Sequence, residues 1–208
     1  MPDIPRIPRH SSADQPPATA AEPVPEDLRE IAHTTSLEAR RFLTTVTEVA
    51  AGANPEVAIP LLLLAVSDML AAGARLGAMV DVLPAERFEP DVGPDADLDP
   101  LAAALENLFE GIDDYNEVDD PVMGRTVVSS SMSGDLVLVA GALAQGQRHY
   151  EAGHVLEALW WWQYSYLSNW GERASGVLRV LQTVLAHLRL DVDDDVAAEA
   201  EFRALHEG

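Results

Sequence analysis

Cysteine is absent from the 208 residues. Disulfides, thiolate nucleophiles and cysteine-ligated zinc or iron–sulfur centres are thereby excluded together. Lysine is absent as well: the thirteen basic residues are all arginine, against 35 acidic ones, for a formal net charge of -22. So negative a surface repels phosphate backbones and anionic lipid, which argues against direct nucleic-acid or membrane-surface binding. Its plain consequence is solubility, and a strongly acidic face also docks onto basic proteins. Long apolar runs are scarce. The most apolar one, Val57 to Val66, is about half of the roughly 20 residues that span a bilayer, and Asp68 follows it closely. It reads as a buried helix. Residues 1–25 carry Arg6 and Arg9 but no apolar stretch of the secretory kind, and a cytoplasmic protein is expected.

The folded part is bounded by composition. Seven of the fourteen prolines lie in residues 1–25, where large apolar side chains are too few to offset chain entropy, so a disordered leader is expected. The helical domain is expected over 26–190, beginning near Glu26 or Ser36, with Ser36 the N-cap of a helix through Leu37, Phe42, Val46 and Val49. Pro55 opens a second helix, which Pro60 kinks or restarts. A proline- and aspartate-rich connection (83–99) leads to a third helix from Asp99-Pro100 through Leu105 and Ile112. After the acidic loop YNEVDDPVMGRT and the serines at 129–131, Ser133 caps a fourth helix that Gly153 ends. The fifth, from about His154 to Leu190, is the longest. An acidic turn, DVDDD, and a short terminal helix complete residues 191–208. Strand-like alternation is confined to VVSSS. The expected fold is all-α: an antiparallel bundle of five or six helices, with a tight helical hairpin at 134–190.

Several chemistries can be weighed and set aside. Asp95-x-Asp97-x-Asp99 with Glu106 imitates a calcium loop, but the sixth position needs positive φ and holds Pro100. Glu30-x-x-His33 and Glu151-x-x-His154 supply the two Glu-x-x-His pairs of a di-iron bundle, yet one straddles Gly153 and the other borders the leader, so capping residues are the better reading. No GxxxxGK loop, GxSxG elbow or HExxH is present. No catalytic residue, metal or cofactor is nominated. The small-residue spacing Gly146, Gly153, Ala158 matches a tetratricopeptide hairpin without a second copy, and reads as one close helix crossing.

Two features remain. Trp162, Tyr166 and Trp170 recur every four residues with Arg173 continuing the side, a stripe read as core with Arg173 over an aromatic face. Trp161, on a different face with Tyr164, Ser165 and Ser168, must pack on another helix or form a partner-facing patch. The second feature is the run from Asp113 to Pro121, which gathers Asp119, Asp120 and Glu117 around Tyr115.

Three stretches, DDYNEVDDP (113–121), SGDLVLVAGALAQGQRHYEAG (133–153) and ALWWWQYSYLSNWGERASGVLRVL (158–181), resemble an uncharacterised bacterial family, a domain of unknown function common in actinobacteria. The resemblance covers roughly residues 36–190 and implies a helical fold and no known activity. Its recurring positions fall here on Tyr115, Glu117, Val118, Asp120, Pro121, Asp135, Leu136, Trp170 and Gly171. Many members carry histidine beside the Trp-Gly pair; this chain has Asn169 and Glu172-Arg173, which weakens any metal or acid–base histidine there.

The expected function is a non-enzymatic, cytosolic protein-interaction or adaptor domain. Its partner would be another protein, met through Tyr115, Glu117, Asp119, Asp120, Trp161, Trp162, Tyr166, Trp170 and Arg173. The alternative is a small-ligand or enzymatic pocket between the acidic turn and helix five, which requires Glu117 and Arg173 to meet beside a cavity.

Overall fold

A computed structural model describes residues 23–84, 88–118, 122–124 and 126–206, the last part from residue 191 by its backbone alone. Six helices account for most of it: α1 (Glu26–Ala50), α2 (Ala58–Gly77), α3 (Asp99–Leu108), α4 (Met132–Glu151), α5 (Val155–Ser165) and α6 (Gly171–His206). An antiparallel pair of strands, β1 (Asp114–Val118) and β2 (Val127–Ser131), stands between α3 and α4. The core gathers Phe42 and Val46 of α1, Leu62, Met69 and Leu76 of α2, Leu136 and Leu143 of α4, and Leu159, Trp162, Trp170, Val177 and Leu181 beyond them. Burial of one apolar stripe from each helix is the main source of stability in such a bundle.

Helix α1 starts at Glu26, so Ser36 is no cap. It lies buried mid-helix and donates to Gln147 Oε1 at 3.0 Å, while His33 Nδ1 stands 3.3 Å from the Tyr150 hydroxyl. Nothing between residues 26 and 36 breaks a helix, and the small Ala32, Thr35, Ser36 and Ala39 let α4 approach. The two contacts set α1 antiparallel to α4. Pro60 sits in the first turn of α2, behind a 3-10 turn at Pro55–Val57, where the missing N–H costs nothing. Helix α2 outlasts the apolar run read from sequence: Pro55–Gly77 is long and apolar enough, by length and composition, to cross a membrane. One stripe of it faces the core, and Leu64 is exposed.

The acidic segment read as a loop is strand β1, paired from Asp114↔Ser131 to Val118↔Val127. Five residues with a polar outer face give too short an alternation to stand out. Strand β2 passes directly into α4, and the cap is Ser131, whose Oγ accepts from Gly134 N at 3.2 Å; Ser133 lies inside the first turn. Gly153, at φ +88°, closes α4 as expected.

The expected fifth helix is real but not regular. A π-helical turn at Tyr166–Trp170 joins α5 to α6, and α6 runs on through DVDDD instead of turning. That segment holds neither glycine nor proline, and aspartate's weak helix propensity does not by itself end a helix. The wider turn inserts an extra residue and rephases the faces downstream. Gly171, Ala174, Val177 and Leu181 then face the core, and Arg173 points at the strands.

Candidate functional site

Three elements meet where the strand pair lies over α4 and α6. From β1, Tyr115 turns inward and its hydroxyl donates to Asp135 Oδ2 of α4 at 2.6 Å. Glu117, two residues on and so on the same face, accepts at Oε1 from Ser130 Oγ at 2.5 Å and from Arg173 Nη1 at 3.1 Å. Arg173 also reaches Ser130 Oγ at 3.2 Å and lies 3.6 Å from Asp135 Oδ1. Asp113 closes the base of the arrangement, accepting from Ser133 N at 2.8 Å and from Ser133 Oγ at 2.5 Å. Gly176 makes the close approach possible: a Cβ there would collide with the Tyr115 hydroxyl and come within 2.9 Å of Glu117 Oε2.

Burial of the Tyr115 phenol raises its pKa far above the usual value, helped by its hydrogen bond to Asp135 and the charges of Asp135 and Glu117, against the opposing Arg173. The Asp135 carboxyl is also raised, first by burial and further by Glu117 and Asp113, while Tyr115 and Arg173 pull it down. General acid–base catalysis favours a group whose pKa lies near the working pH. Tyr115 is driven away from that range, and its proton serves as a fixed hydrogen-bond donor. By its contacts the network is a clamp: it ties the strand pair to α4 and α6.

Outside the clamp, Arg179 of α6 donates to the Asn116 carbonyl at 3.1 Å and stands 5.9 Å from the Tyr115 ring centre. Among the described residues it is Arg179 that lies over an aromatic face, whereas Arg173 pairs with the carboxylates of Glu117 and Asp135. A cleft of about 620 Å³ opens beside these groups, lined by Glu117, Val118, Val127, Gly176 and Arg179 among others. Glu117 and Arg173 thus do meet with a cavity nearby. Asp119 and Asp120 lie outside the described residues.

The aromatic candidates divide. Trp162 and Trp170 are fully buried and Tyr166 is partly so, packed edge-on against Trp170 at 4.8 Å. Trp162 gives its indole N–H to the Leu143 carbonyl at 3.2 Å. These residues build the core and are not a surface. Trp161 instead gives its N–H to the Ala142 carbonyl at 3.0 Å and forms, with Tyr164, Ser165 and Ser168, one wall of an open groove of about 610 Å³. The opposite side is formed by α4 and the connection before α3, through Gln145, Arg148, Glu89 and Asp95. Trp160 stacks on Tyr164, with ring centres 5.3 Å apart and planes within 9°.

Sequence reasoning missed the fastening of that connection to α4. His149 is buried, and its Nε2 stands 2.7 Å from Glu89 Oε1; Arg148 holds Asp95 at 2.9 Å and the Pro94 carbonyl. The hint in the sequence was the adjacent pair Arg148 and His149 in the last turns of α4. Of the Glu-x-x-His pairs, Glu30 and His33 lie near the start of α1 and Glu151 ends α4, while His154 packs edge-on against His149 at 6.4 Å. Among the described residues there is no group of three or more histidines and carboxylates placed to hold a metal ion.

The pattern that defines the domain of unknown function DUF5063 matches residues 26–187. The chain belongs to this family. The DUF5063 domain thus runs from the first residue of α1 well into α6, and the clamp and the groove both lie within it. No curated protein matches the chain. The crystal structure of protein BF1032 from Bacteroides fragilis is similar at a TM-score of 0.59 and 13% identity, over 74% of this chain and 92% of that one. At that identity the likeness concerns the fold alone.

Proposed function

We propose that this DUF5063 chain is a non-enzymatic protein-interaction domain whose groove between Trp161 and Asp95 takes an extended, arginine-bearing segment of a partner protein. The observation that carries the reading is the division of labour among the aromatic residues. Trp162, Tyr166 and Trp170 build the core, whereas Trp161 and the 56% exposed Tyr164 wall an open groove. Amphipathic aromatic rings are favoured anchors of interfaces. Asp95, its side chain 96% exposed, stands on the facing rim. Among the described residues lining the groove the one cation, Arg148, is paired with Asp95 and also held by Gln145 and the Pro94 carbonyl. With the net charge of -22 this favours a cationic partner. The same charge supports a protein that meets neither nucleic acid nor membrane directly, the lack of cysteine fits the proposed cytoplasmic setting, and the seating of α2 against α1 and α6 supports its role as a core helix.

A defined probe tests this. The chain is titrated with an extended peptide bearing two arginines and with its two-glutamate counterpart, followed by tryptophan emission. Saturable binding of the first alone is expected, weakened about tenfold or more by Trp161→Ala, the mark of an interface anchor. Equal response to both peptides, or indifference to the substitution in a folded variant, would sink the reading. A small-ligand site is the second reading, favoured by the Glu117–Arg173 contact beside the cleft of about 620 Å³. It predicts loss of ligand with Arg179→Ala and none with Trp161→Ala.

A further inference from the structure

A further cavity, of about 370 Å³, opens between α1 and the C-terminal end of α2, and it shares no residue with the groove or the cleft. Cavities that bind small molecules run from about 300 to 1,000 Å³. Ile31, Thr34 and Thr35 reach it from α1 at the i, i+3, i+4 spacing of one helix face. Arg75 and Met79, four residues apart, line it from the other side together with the buried Leu76.

Two features of the lining point to a ligand. The first is Thr35, which is 4% exposed and whose hydroxyl makes no hydrogen bond among the described residues. Helical threonines elsewhere in the chain bond back to the fourth residue before them, Thr47 to the Leu43 carbonyl at 2.8 Å and Thr183 to the Arg179 carbonyl at 3.0 Å. A nearly buried hydroxyl without that bond is costly, and a polar group seated in the cavity removes the cost.

The second feature is a pair of opposite charges that do not meet. Glu30 of α1 and Arg75 of α2 both line the cavity, yet neither makes an ion pair or a hydrogen bond among the described residues. Arg41, Arg148 and Arg173, by contrast, each hold a carboxylate. Two such charges at one cavity fit a molecule that carries both. A planar guanidinium grips a carboxylate through two parallel N–H bonds, and the glutamate accepts from an ammonium group. Ile31, Leu76 and Met79 offer apolar surface to a hydrocarbon group. The net charge of -22 selects in the same direction: it repels a simple anion, whereas a zwitterion has no net charge to be repelled.

We propose that this cavity binds a free α-amino acid with an aliphatic side chain. Its carboxylate lies on Arg75, its ammonium on Glu30 and its side chain against Ile31, Leu76 and Met79. The Thr35 hydroxyl, both donor and acceptor, completes the contacts of the head group. A peptide terminus offers only one of the two charges, so the free amino acid is the ligand that satisfies the site.

The test uses L-leucine, N-acetyl-L-leucine and L-leucinamide, each titrated into the full nitrogen-15-labelled chain while the amide signals of Thr34, Thr35 and Leu76 are followed. Leucine should shift all three and saturate with a Kd of about 1 mM or below. The acetylated form lacks the ammonium and leucinamide lacks the carboxylate, so each should bind about tenfold or more weaker, the loss of one charge-assisted bond. Arg75→Met and Glu30→Gln should weaken leucine by a similar factor. Thr35→Val replaces the open hydroxyl with a methyl group. It should weaken leucine while leaving the melting temperature equal or higher, which a purely structural threonine would not do. Three results would overturn the proposal: no saturable shift below about 10 mM leucine, binding of either derivative as tight as that of leucine, or unchanged affinity in folded Arg75→Met and Glu30→Gln. Where a charge variant fails to fold, the two derivatives decide. Because the cavity and the Trp161 groove share no residue, either reading can fail without the other.

Discussion

Arg173 stands 3.1 Å from Glu117 and 3.6 Å from Asp135, so one guanidinium joins a carboxylate of strand β1 to a carboxylate of helix α4. The two carboxylates are nearly buried, with side-chain exposures of 10% and 8%, whereas Arg173 itself is 36% exposed. Removing the cation leaves both acids without their counter-charge. Arg173→Met should therefore destabilise the fold by about 2–3 kcal/mol, less than a fully buried pair would cost because the guanidinium keeps part of its hydration. Adding Glu117→Gln should restore part of the loss, with a coupling of about 1 kcal/mol in a urea double-mutant cycle. Additive effects would show that the contact contributes nothing.

Tyr115 provides a spectroscopic check on the same clamp. The chain has four tyrosines, and an unperturbed phenol ionises near pH 10. Tyr115 holds its proton well beyond that point because it is buried and donates to Asp135. A phenol whose folded pKa is raised contributes stability that is complete below its unfolded pKa and is lost as pH rises above it. Alkaline difference spectra should show a tyrosine that ionises only as the protein unfolds, and this component should vanish in Tyr115→Phe. Ionisation of every tyrosine near pH 10 in the folded chain would contradict the buried bond.

Asp135 makes the opposite end of the pH range informative. Its carboxyl is raised by burial and by Glu117 and Asp113, so the folded state holds this proton more tightly than the unfolded one. The resulting stabilisation is complete below the unfolded pKa, near 3.9, and is lost as pH climbs through the raised folded value. Asp135→Asn cannot titrate. The stability of the native chain minus that of the variant should decline as pH rises from about 4, then level off. A difference that grows with pH would mean that Arg173 dominates this carboxyl.

How far the sequence carried can be judged from these residues. Helices were legible because apolar residues recur along α1, α2 and α4 over many turns, and Gly153 marks its turn through a backbone angle few other residues adopt. Of the strand pair, VVSSS was legible and is β2, whereas β1 was not, because its five-residue alternation is carried by Tyr115 and Glu117 on a face that is polar throughout. Tyr115, Glu117 and Arg173 were named, but their partner Asp135 entered only through the family resemblance, since a contact over 20 residues of sequence leaves no periodic trace. The π turn was invisible for a related reason. Trp162, Tyr166 and Trp170 keep a regular four-residue spacing, while the backbone between them does not.

That distinction is testable at the crossing of α4 and α5. Gly146 faces Trp162 so closely that a Cβ would collide with the indole ring, and the ring is held by its N–H bond to Leu143 and by Tyr150 at 6.2 Å. A side chain that cannot yield forces the helices apart, so Gly146→Ala should cost about 1–3 kcal/mol despite the better helix propensity of alanine. Trp162→Ala removes the ring altogether and should cost about 3–5 kcal/mol through the cavity it leaves. Trp161→Ala, one position away on the groove wall, should cost less than Trp162→Ala, because its ring is only partly buried, although the N–H bond to Ala142 is lost with it. The pair Gly146→Ala and Trp162→Ala should then cost less than the sum of the two, because deleting the indole relieves the collision. Strict additivity, read by denaturant unfolding, would show that the small residue at 146 is not what permits the crossing.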